Sequence, residues 1–169
     1  SVQPGGSTVV ELRIAFDQQA LGGGIVVELN PAVAAFGAFS FASTLPDDPS
    51  LRLVCPNAAN PLCDDFDDGA GARMLIAFGA KLTPPACNPP LTGTQKVGDL
   101  TLDAVALGQT TVTLRADDLV AGAFVGCLGT TFTAASYSGT TFSVSNVTDS
   151  DGDGVGDPTD NCPALPNPT

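Results

Sequence analysis

A strict alternation of side chains near the N-terminus limits the possible fold of this chain more than any other feature. Across residues 8–16, a row of large apolar residues (Val10, Leu12, Ile14 and Phe16) alternates with a row that carries Glu11 and Arg13. A period of two places one row on each face of a β-strand, and it cannot build the apolar stripe of a helix. The segment therefore predicts a strand with one face in a core and the other in water.

Further strand signals follow at short intervals between glycine and proline residues. Gly22-Gly23-Gly24 predicts a break before the second strand, and Asn30-Pro31 predicts its end. Gly108-Gln109 is a hairpin signature, and Ser138-Gly139 predicts a tight turn between the last two strands. The predicted strands cover residues 8–16, 25–29, 74–78, 97–107, 110–115, 123–125, 130–137 and 140–147, with shorter candidates at 39–41 and 51–54. No window has a convincing helical stripe, so about eight or nine short strands predict an all-β, antiparallel β-sandwich.

The charge balance excludes several classes of partner. The chain has 18 acidic and 6 basic residues, a formal net charge of -12. Nucleic acid and anionic membranes both require basic surfaces, so neither is an expected partner. No apolar run is long enough to insert into a membrane. Divalent cations are the partners that this charge favours.

Five cysteines lie at positions 55, 63, 87, 127 and 162, without CxxC spacing and without any histidine in the chain. Disulfides in an oxidising compartment explain them more simply than zinc does, which predicts a secreted or cell-surface protein. Cys55 and Cys63 can close a short loop, and Cys87 can then pair with Cys127. Four cysteines allow three connectivities, and this is one of them. Cys162 is left over.

The chain offers little for catalysis, and we expect it not to be an enzyme. Without histidine, Ser-His-Asp and Cys-His machinery is impossible. The two glutamates, Glu11 and Glu28, lie on predicted strands, where ordinary surface charge is the simpler interpretation. The acidic loop at residues 64–68 is either solvated or a weak second cation site. The nine phenylalanines mostly fall at apolar positions and are assigned to core packing.

The acidic stretch at residues 149–160 contains no apolar residue except Val155. Calcium takes about six to eight hard oxygen ligands, and alternate aspartates direct three carboxylates to one point. Gly154 permits the sharp turn that brings the next carbonyl oxygen back. The stretch therefore predicts a Ca²⁺ site, with a solvated acidic linker as the alternative. The predicted ligands are Asp149, Asp151, Asp153, the Val155 carbonyl, Asp157 and Asp160.

The pattern DxDxDGxxDxxDNCP, followed by a spaced Asn-Pro, resembles the thrombospondin type 3 repeat over residues 149–169. The prolines of residues 161–169 exclude the helix that follows the loop in EF-hands and dockerins. The resemblance implies the same aspartate ligands and a partner for Cys162 in a neighbouring repeat. The repeat is incomplete, so we expect the chain to be part of a longer protein. The predicted domains are residues 1–147 and 148–169.

The order of features in residues 8–147 is similar to that of the cohesin-like sandwich, a fold shared with some carbohydrate-binding modules. The matching segments are residues 9–14, 29–33, 73–78, 98–102 and 108–114. The resemblance implies a jelly-roll sandwich that binds dockerins, or another surface protein, through one sheet face. We therefore expect a non-catalytic binding or adhesion module on a calcium-stabilised stalk. The alternatives are a carbohydrate-binding module, for which a chain without Trp and with Tyr137 as its sole tyrosine offers few sugar platforms, and a structural spacer.

Overall fold

The computed structural model describes residues 2–56, 60–63, 70–79, 82–83, 86–87, 90–116, 124–134, 136–146, 150, 157, 161–162 and 164–165. Within them the chain is all-β, as predicted, with two single-turn 3-10 helices at Pro49–Leu51 and Pro61–Cys63. No helix among these residues has the length and apolarity needed to cross a bilayer. The strands are β1 (Ser7–Glu28), β2 (Ala34–Phe41), β3 (Leu53–Cys55), β4 (Arg73–Gly79), β5 (Leu82–Thr83), β6 (Ala86–Cys87), β7 (Leu91–Ala104), β8 (Gly108–Ala116), β9 (Phe124–Gly126), β10 (Thr131–Phe132) and β11 (Thr140–Val144).

Strand β1 is long enough to belong to two layers. Its first half, residues 7–16, pairs antiparallel with β7, which pairs with β2; these strands form the first sheet. Its second half pairs with β4 on one edge and with β8 and β9 on the other. Strand β3 joins β4, and β11 joins β8, which completes the second sheet. The register shift between Phe16 and Ala20 marks the crossing from one layer to the other.

The alternation in the first half of β1 is confirmed. Leu12 and Phe16 are buried, and Val10 and Ile14 pack partly buried against the same core. Glu11 lies on the opposite, exposed face. The period of two therefore assigns this strand correctly, because one of its faces is covered by the second sheet and the other is not.

The break predicted at Gly22-Gly23-Gly24 is wrong, because β1 runs through all three glycines. Gly22 pairs with Gly79 of β4, and a Cβ atom on Gly22 would collide with the carbonyl oxygen of Phe78. Glycine is required here for close approach of two backbones and not for a turn. The end of β1 is predicted correctly, since the strand stops at Glu28 and the Asn30 carbonyl accepts the amides of Val33 and Ala34 in a turn.

The two predicted hairpins are also wrong. Gly108 and Gln109 lie within β8, and β7 and β8 pair with different halves of β1, in different sheets, and not with each other. Strand β10 pairs with β9, whereas β11 pairs with β8, so Ser138-Gly139 does not join two paired strands. A local turn signal cannot identify a strand's partner when the chain crosses between layers. Some boundaries also differ: residues 91–94, predicted as loop, begin β7, and residues 133–134 and 136–137, predicted as strand, follow β10 without regular structure.

Strand β4 is buried on both faces, as its continuous apolar sequence predicts. It lies between β1 and β3, with Met74, Leu75, Ile76 and Phe78 all buried. Ile76 faces the main core between the two sheets, to which most of the buried apolar residues belong. Leu75 faces the other way and packs with Val26, Cys55 and Cys63 in a separate cluster. We call these four residues the outer cluster.

The Cys55–Cys63 disulfide is confirmed, with an S–S distance of 1.98 Å and a Cα–Cα distance of 5.3 Å. Cys127 is also disulfide-bonded. The side chain of its predicted partner, Cys87, lies outside the described residues, so that pairing stays a prediction. The domain boundary near residue 147, and the acidic loop at residues 64–68, also lie outside them.

Candidate protein-binding faces of the sandwich

Each sheet presents one face to the core and one outward, and the outward faces differ in chemistry. On the first sheet the outward row carries four charged side chains beside Val9 and Thr101. We call the four the charged face: Glu11, Arg13, Lys96 and Asp99. On the second sheet, alternate residues of β8 and β11 form the hydroxyl strip: Gln109, Thr111, Thr113, Thr141 and Ser143. The strip lies outward because Thr110, Val112, Phe142 and Val144, which alternate with it, are buried.

The charges of the charged face are bound to one another. Lys96 Nζ lies 2.8 Å from an Asp99 carboxylate oxygen and 3.1 Å from one of Glu11, whose other oxygen accepts from Arg13. The hydrogen bonds from Lys96 and then Arg13 lower the pKa of Glu11. Those to Asp99 and then Glu11 raise the pKa of Lys96. A partner that bound here would have to displace an existing ion-pair network.

The hydroxyl strip is neutral, and the side chains of its three threonines make no hydrogen bond among the described residues. Thr111, Thr113 and Thr141 are exposed, and Gln109 Nε2 donates to Ser143 Oγ at 3.1 Å. A shallow groove of about 470 Å³ runs beside them, lined by threonine, Leu114, Tyr137 and Gly139. The adjacent charges on this face, Arg115 Nε and Glu28 Oε1, pair at 2.8 Å. Among the described residues, the strip thus presents hydroxyl groups with no unpaired charge beside them.

Another part of the second outward face is buried. Val26 and Leu75 are outward residues of neighbouring strands, yet they are 0% and 1% exposed. Cys55 and Cys63, joined by their disulfide, pack against both residues in the outer cluster. Beside this buried cluster, Thr111, Thr113 and Thr141 of β8 and β11 stay exposed.

Aromatic side chains are not displayed on the surface that the structure describes. Its exposed large apolar residues are all aliphatic: Val9, Leu51, Leu62, Val105, Leu107, Leu128 and Leu165. Eight of the nine phenylalanines are described and pack in or against the core, which confirms their assignment to core packing. Tyr137 is also partly buried against the core.

The glutamates and the predicted calcium ligands can be placed only in part. Glu11 and Glu28 both lie on outward faces in ion pairs with basic residues. Among the described residues, no three carboxylate or thiol groups lie close enough to share a metal ion. Asp157 is the one predicted calcium ligand within them, and its two carboxylate oxygens accept from the amide (2.8 Å) and hydroxyl (2.7 Å) of Ser150. Asp149, Asp151, Asp153, Val155 and Asp160 lie outside.

Sequence reasoning missed the hydroxyl strip, although its signal was present. Thr111 and Thr113 alternate with the apolar residues Val112 and Leu114, as polar and apolar residues do in residues 8–16. The alternation gives the outward row, but only the pairing of β8 with β1 and β11 shows which sheet displays it.

No family model matches the chain, and no curated protein sequence matches it. Solved structures of cohesin modules do share its fold. The seventh type I cohesin of ScaB from Pseudobacteroides cellulosolvens is 12% identical, with a TM-score of 0.57 over 85% of this chain and 86% of that one. The third cohesin of ScaC in complex with the ScaB dockerin, from Acetivibrio cellulolyticus, is 9% identical, with a TM-score of 0.57 over 84% and 91%.

A cohesin module of a family 33 glycoside hydrolase from Clostridium perfringens is 11% identical, with a TM-score of 0.56 over 85% of this chain and 88% of that one. These structures confirm the cohesin-like sandwich that the sequence resembles. At such low identity the likeness concerns the fold.

Proposed function

We propose that this chain is a non-catalytic, extracellular recognition module that binds a dockerin-like protein through the hydroxyl strip. The cohesin fold supports the class of partner, because a structurally similar cohesin was crystallised in complex with a dockerin. The Cys55–Cys63 disulfide supports an extracellular location, since such bonds persist in oxidising compartments.

The observation that carries the choice of face is the contrast between the two outward surfaces. Interface centres are depleted in charge, because a buried charge must be both desolvated and paired. The charged face would bring four ionised groups into the contact, whereas the hydroxyl strip brings none. Threonine and glutamine side chains also supply donors and acceptors to a partner.

Two observations weigh against the rival functions. Sugar rings usually stack on exposed aromatic side chains, and the described surface presents only aliphatic ones. A purely structural spacer gives no reason for an uncovered neutral strip beside a covered apolar cluster. Protein recognition therefore explains the observed surface better than sugar binding or a spacer role does.

The C-terminal segment is proposed as a calcium site of the thrombospondin type 3 kind. Its ligands are Asp149, Asp151, Asp153, Asp157, Asp160 and the Val155 carbonyl. The contact between Ser150 and Asp157 supports this site, because it draws together residues seven apart in the acidic stretch. Bound Ca²⁺ would offset repulsion among the five carboxylates.

A binding assay with two variants tests the recognition surface. We expect the protein to bind at least one of a panel of purified, calcium-loaded dockerins in surface plasmon resonance. Thr111→Arg combined with Thr113→Arg should weaken binding at least about tenfold, because it buries two cations. Thr94→Arg, on an exposed threonine of β7, is the matched control and should leave binding unchanged. Equal loss in both variants would assign the interface elsewhere.

Calorimetric titration with CaCl₂ tests the metal site. We expect binding in the intact chain, and its loss when Asp151 and Asp153 are both replaced by Asn. Replacing Asp99 and Asp103 in the same way should not affect it. Calcium binding that survives the first pair of substitutions would refute the assigned ligands.

A further inference from the structure

The first half of β1 has one unpaired edge. Residues 7–16 pair with β7, and among the described residues no backbone hydrogen bond reaches them from the other side. Successive residues of a strand direct their amide and carbonyl groups to opposite edges, so about half of these groups have no backbone partner among the described residues. Such an edge is a template for another strand.

Two cavities lie along this edge, between residues 10–18 of β1 and residues 132–134 and 136–140. One has a volume of about 120 Å³ and the other about 390 Å³, and Leu12, Leu114 and Ser138 line both. We call this region the seam. Its floor is apolar, formed by Val10, Leu12, Ile14, Leu114, Phe124 and Phe132. The two sheets therefore do not close fully on this side of the sandwich.

Val2 shows how a strand can lie beside β11. Its amide donates to the Ser143 carbonyl at 3.1 Å, and its carbonyl accepts from the Ser145 amide at 3.0 Å, which forms one parallel bridge with β11. The chain then reverses through a turn closed by the bond from Gly6 N to Gln3 O and enters β1. A strand in line with Val2 would thus run parallel to β11 and antiparallel to β1.

The Tyr137 hydroxyl provides a second unfulfilled group. The oxygen is buried, yet it has no hydrogen-bond partner of normal geometry among the described residues, and the side chain lines the larger cavity. Burial raises the pKa of Tyr137, with the Ala134 backbone acting in the opposite direction, so the hydroxyl keeps its proton at neutral pH. A carbonyl group placed in the seam could accept it.

We propose that the seam takes up an extended segment of a partner protein as an additional strand, antiparallel to β1. A segment of about eight residues spans the edge at about 3.3 Å per residue. Its inward side chains would be apolar, to fill the two cavities. Its outward side chains would include a basic residue opposite Glu11 and an acidic residue opposite Arg13. An added strand lies on the side of β1 away from Lys96, so these residues would extend the existing ion-pair network without displacing it, and cross-strand pairs of opposite charge stabilise antiparallel strands. This site is separate from the hydroxyl strip.

The chain itself supplies a suitable probe. A synthetic, end-capped peptide with the sequence of residues 8–16 has the required alternation. Aligned antiparallel with Leu12 opposite Leu12, it places its arginine opposite Glu11 and its glutamate opposite Arg13. A control peptide with these two residues exchanged keeps the composition but places like charges opposite each other.

Hydrogen–deuterium exchange and fluorescence binding test the proposal together. About half of the amides in residues 9–17 should exchange quickly in the free protein and become protected when the first peptide is added. The exchanged-charge peptide should bind several-fold more weakly. Ser138→Trp, which places bulk in the seam, should weaken peptide binding at least about tenfold. Ser40→Trp, on an exposed serine of β2, should not.

Three results would overturn the proposal. The first is full protection of residues 9–17 in the free protein, which would mean that the edge is already covered. The second is equal binding by both peptides or by both tryptophan variants. The third is a concentration-dependent dimer, seen by sedimentation and abolished by Ser138→Trp, which would assign the edge to self-association. Circular dichroism of each variant must first show an intact sandwich.

Discussion

Leu75 and Ile76 are consecutive residues of β4, and they lie in two different cores. Ile76 is 0% exposed in the main core, which both sheets enclose. Leu75 is 1% exposed in the outer cluster, which Val26, Cys55 and Cys63 complete. The main core is closed by the fold itself, because each sheet covers the other. The outer cluster lies on a face with no opposing sheet, so a cross-linked segment has to cover it.

The difference shows two ways of burying the same strand. On the face that the second sheet covers, alternation of apolar residues is sufficient to bury the side chains. On the face without an opposing sheet, a disulfide holds the covering residues in place. Substitutions in the main core should therefore act regardless of the disulfide, whereas substitutions in the outer cluster should depend on it.

The largest effect is expected for Ile76→Ala. Removal of three buried carbon atoms from a core that two sheets hold rigid should lower the free energy of unfolding by about 4 kcal/mol. Urea denaturation followed by circular dichroism measures it. A loss below about 1 kcal/mol would show that the main core is loosely packed at β4.

Replacing Cys55 and Cys63 together by alanine should cost about 2.5 kcal/mol. The estimate is the entropy of closing a loop with a sequence separation of 8 in the unfolded chain. Equilibrium unfolding of the double variant, compared with the oxidised parent, gives the value. An unchanged midpoint would mean that the segment covers Val26 and Leu75 without help from the disulfide.

Leu75→Ala should cost about 2 kcal/mol, less than Ile76→Ala, because a small cluster under a loop can partly collapse into the space. The decisive measurement repeats both substitutions in the chain without the Cys55–Cys63 bond. The cost of Leu75→Ala should then fall by about half, and that of Ile76→Ala should not change. Equal changes in cost for the two substitutions would show that the main core and the outer cluster behave as a single core.

The smallest effect concerns the charged face, where the outward side of β1 has no cover. The pKa of Glu11 is lowered in the folded protein, first by Lys96, so its ionised form favours folding. This contribution is present above the unfolded-state pKa, near 4.5, and is lost as pH falls through the lower folded-state value. Glu11→Gln should therefore flatten the decline of the urea midpoint below about pH 4.5. An identical decline in both proteins would exclude Glu11 as a contributor.

Local sequence patterns correctly predicted strands and the faces on which they are buried. The alternation at residues 8–16 and the continuous apolar run of β4 both follow directly from which faces are covered. The Cys55–Cys63 disulfide could also be predicted, because the two cysteines flank a short proline-containing loop.

The pairing of strands that lie far apart in the sequence could not be predicted from such local patterns. The glycines at 22–24 resemble a strand break in the sequence, and only the contact with Phe78 explains why glycine is needed there. Gly108-Gln109 resembles a hairpin turn, and only the pairing of β8 with β1 and β11 shows that it is not one. The outer cluster and the hydroxyl strip both depend on these pairings. No local property of Val26 or Thr113 indicates whether a loop will cover it.

The passage of β1 through both layers has a mechanical consequence. A single 22-residue strand is hydrogen-bonded to β7 in one layer and to β4 and β8 in the other. Neither layer can be pulled away without tearing bonds of that shared strand. Under tension, the sandwich should therefore resist as one unit and give way in a single rupture.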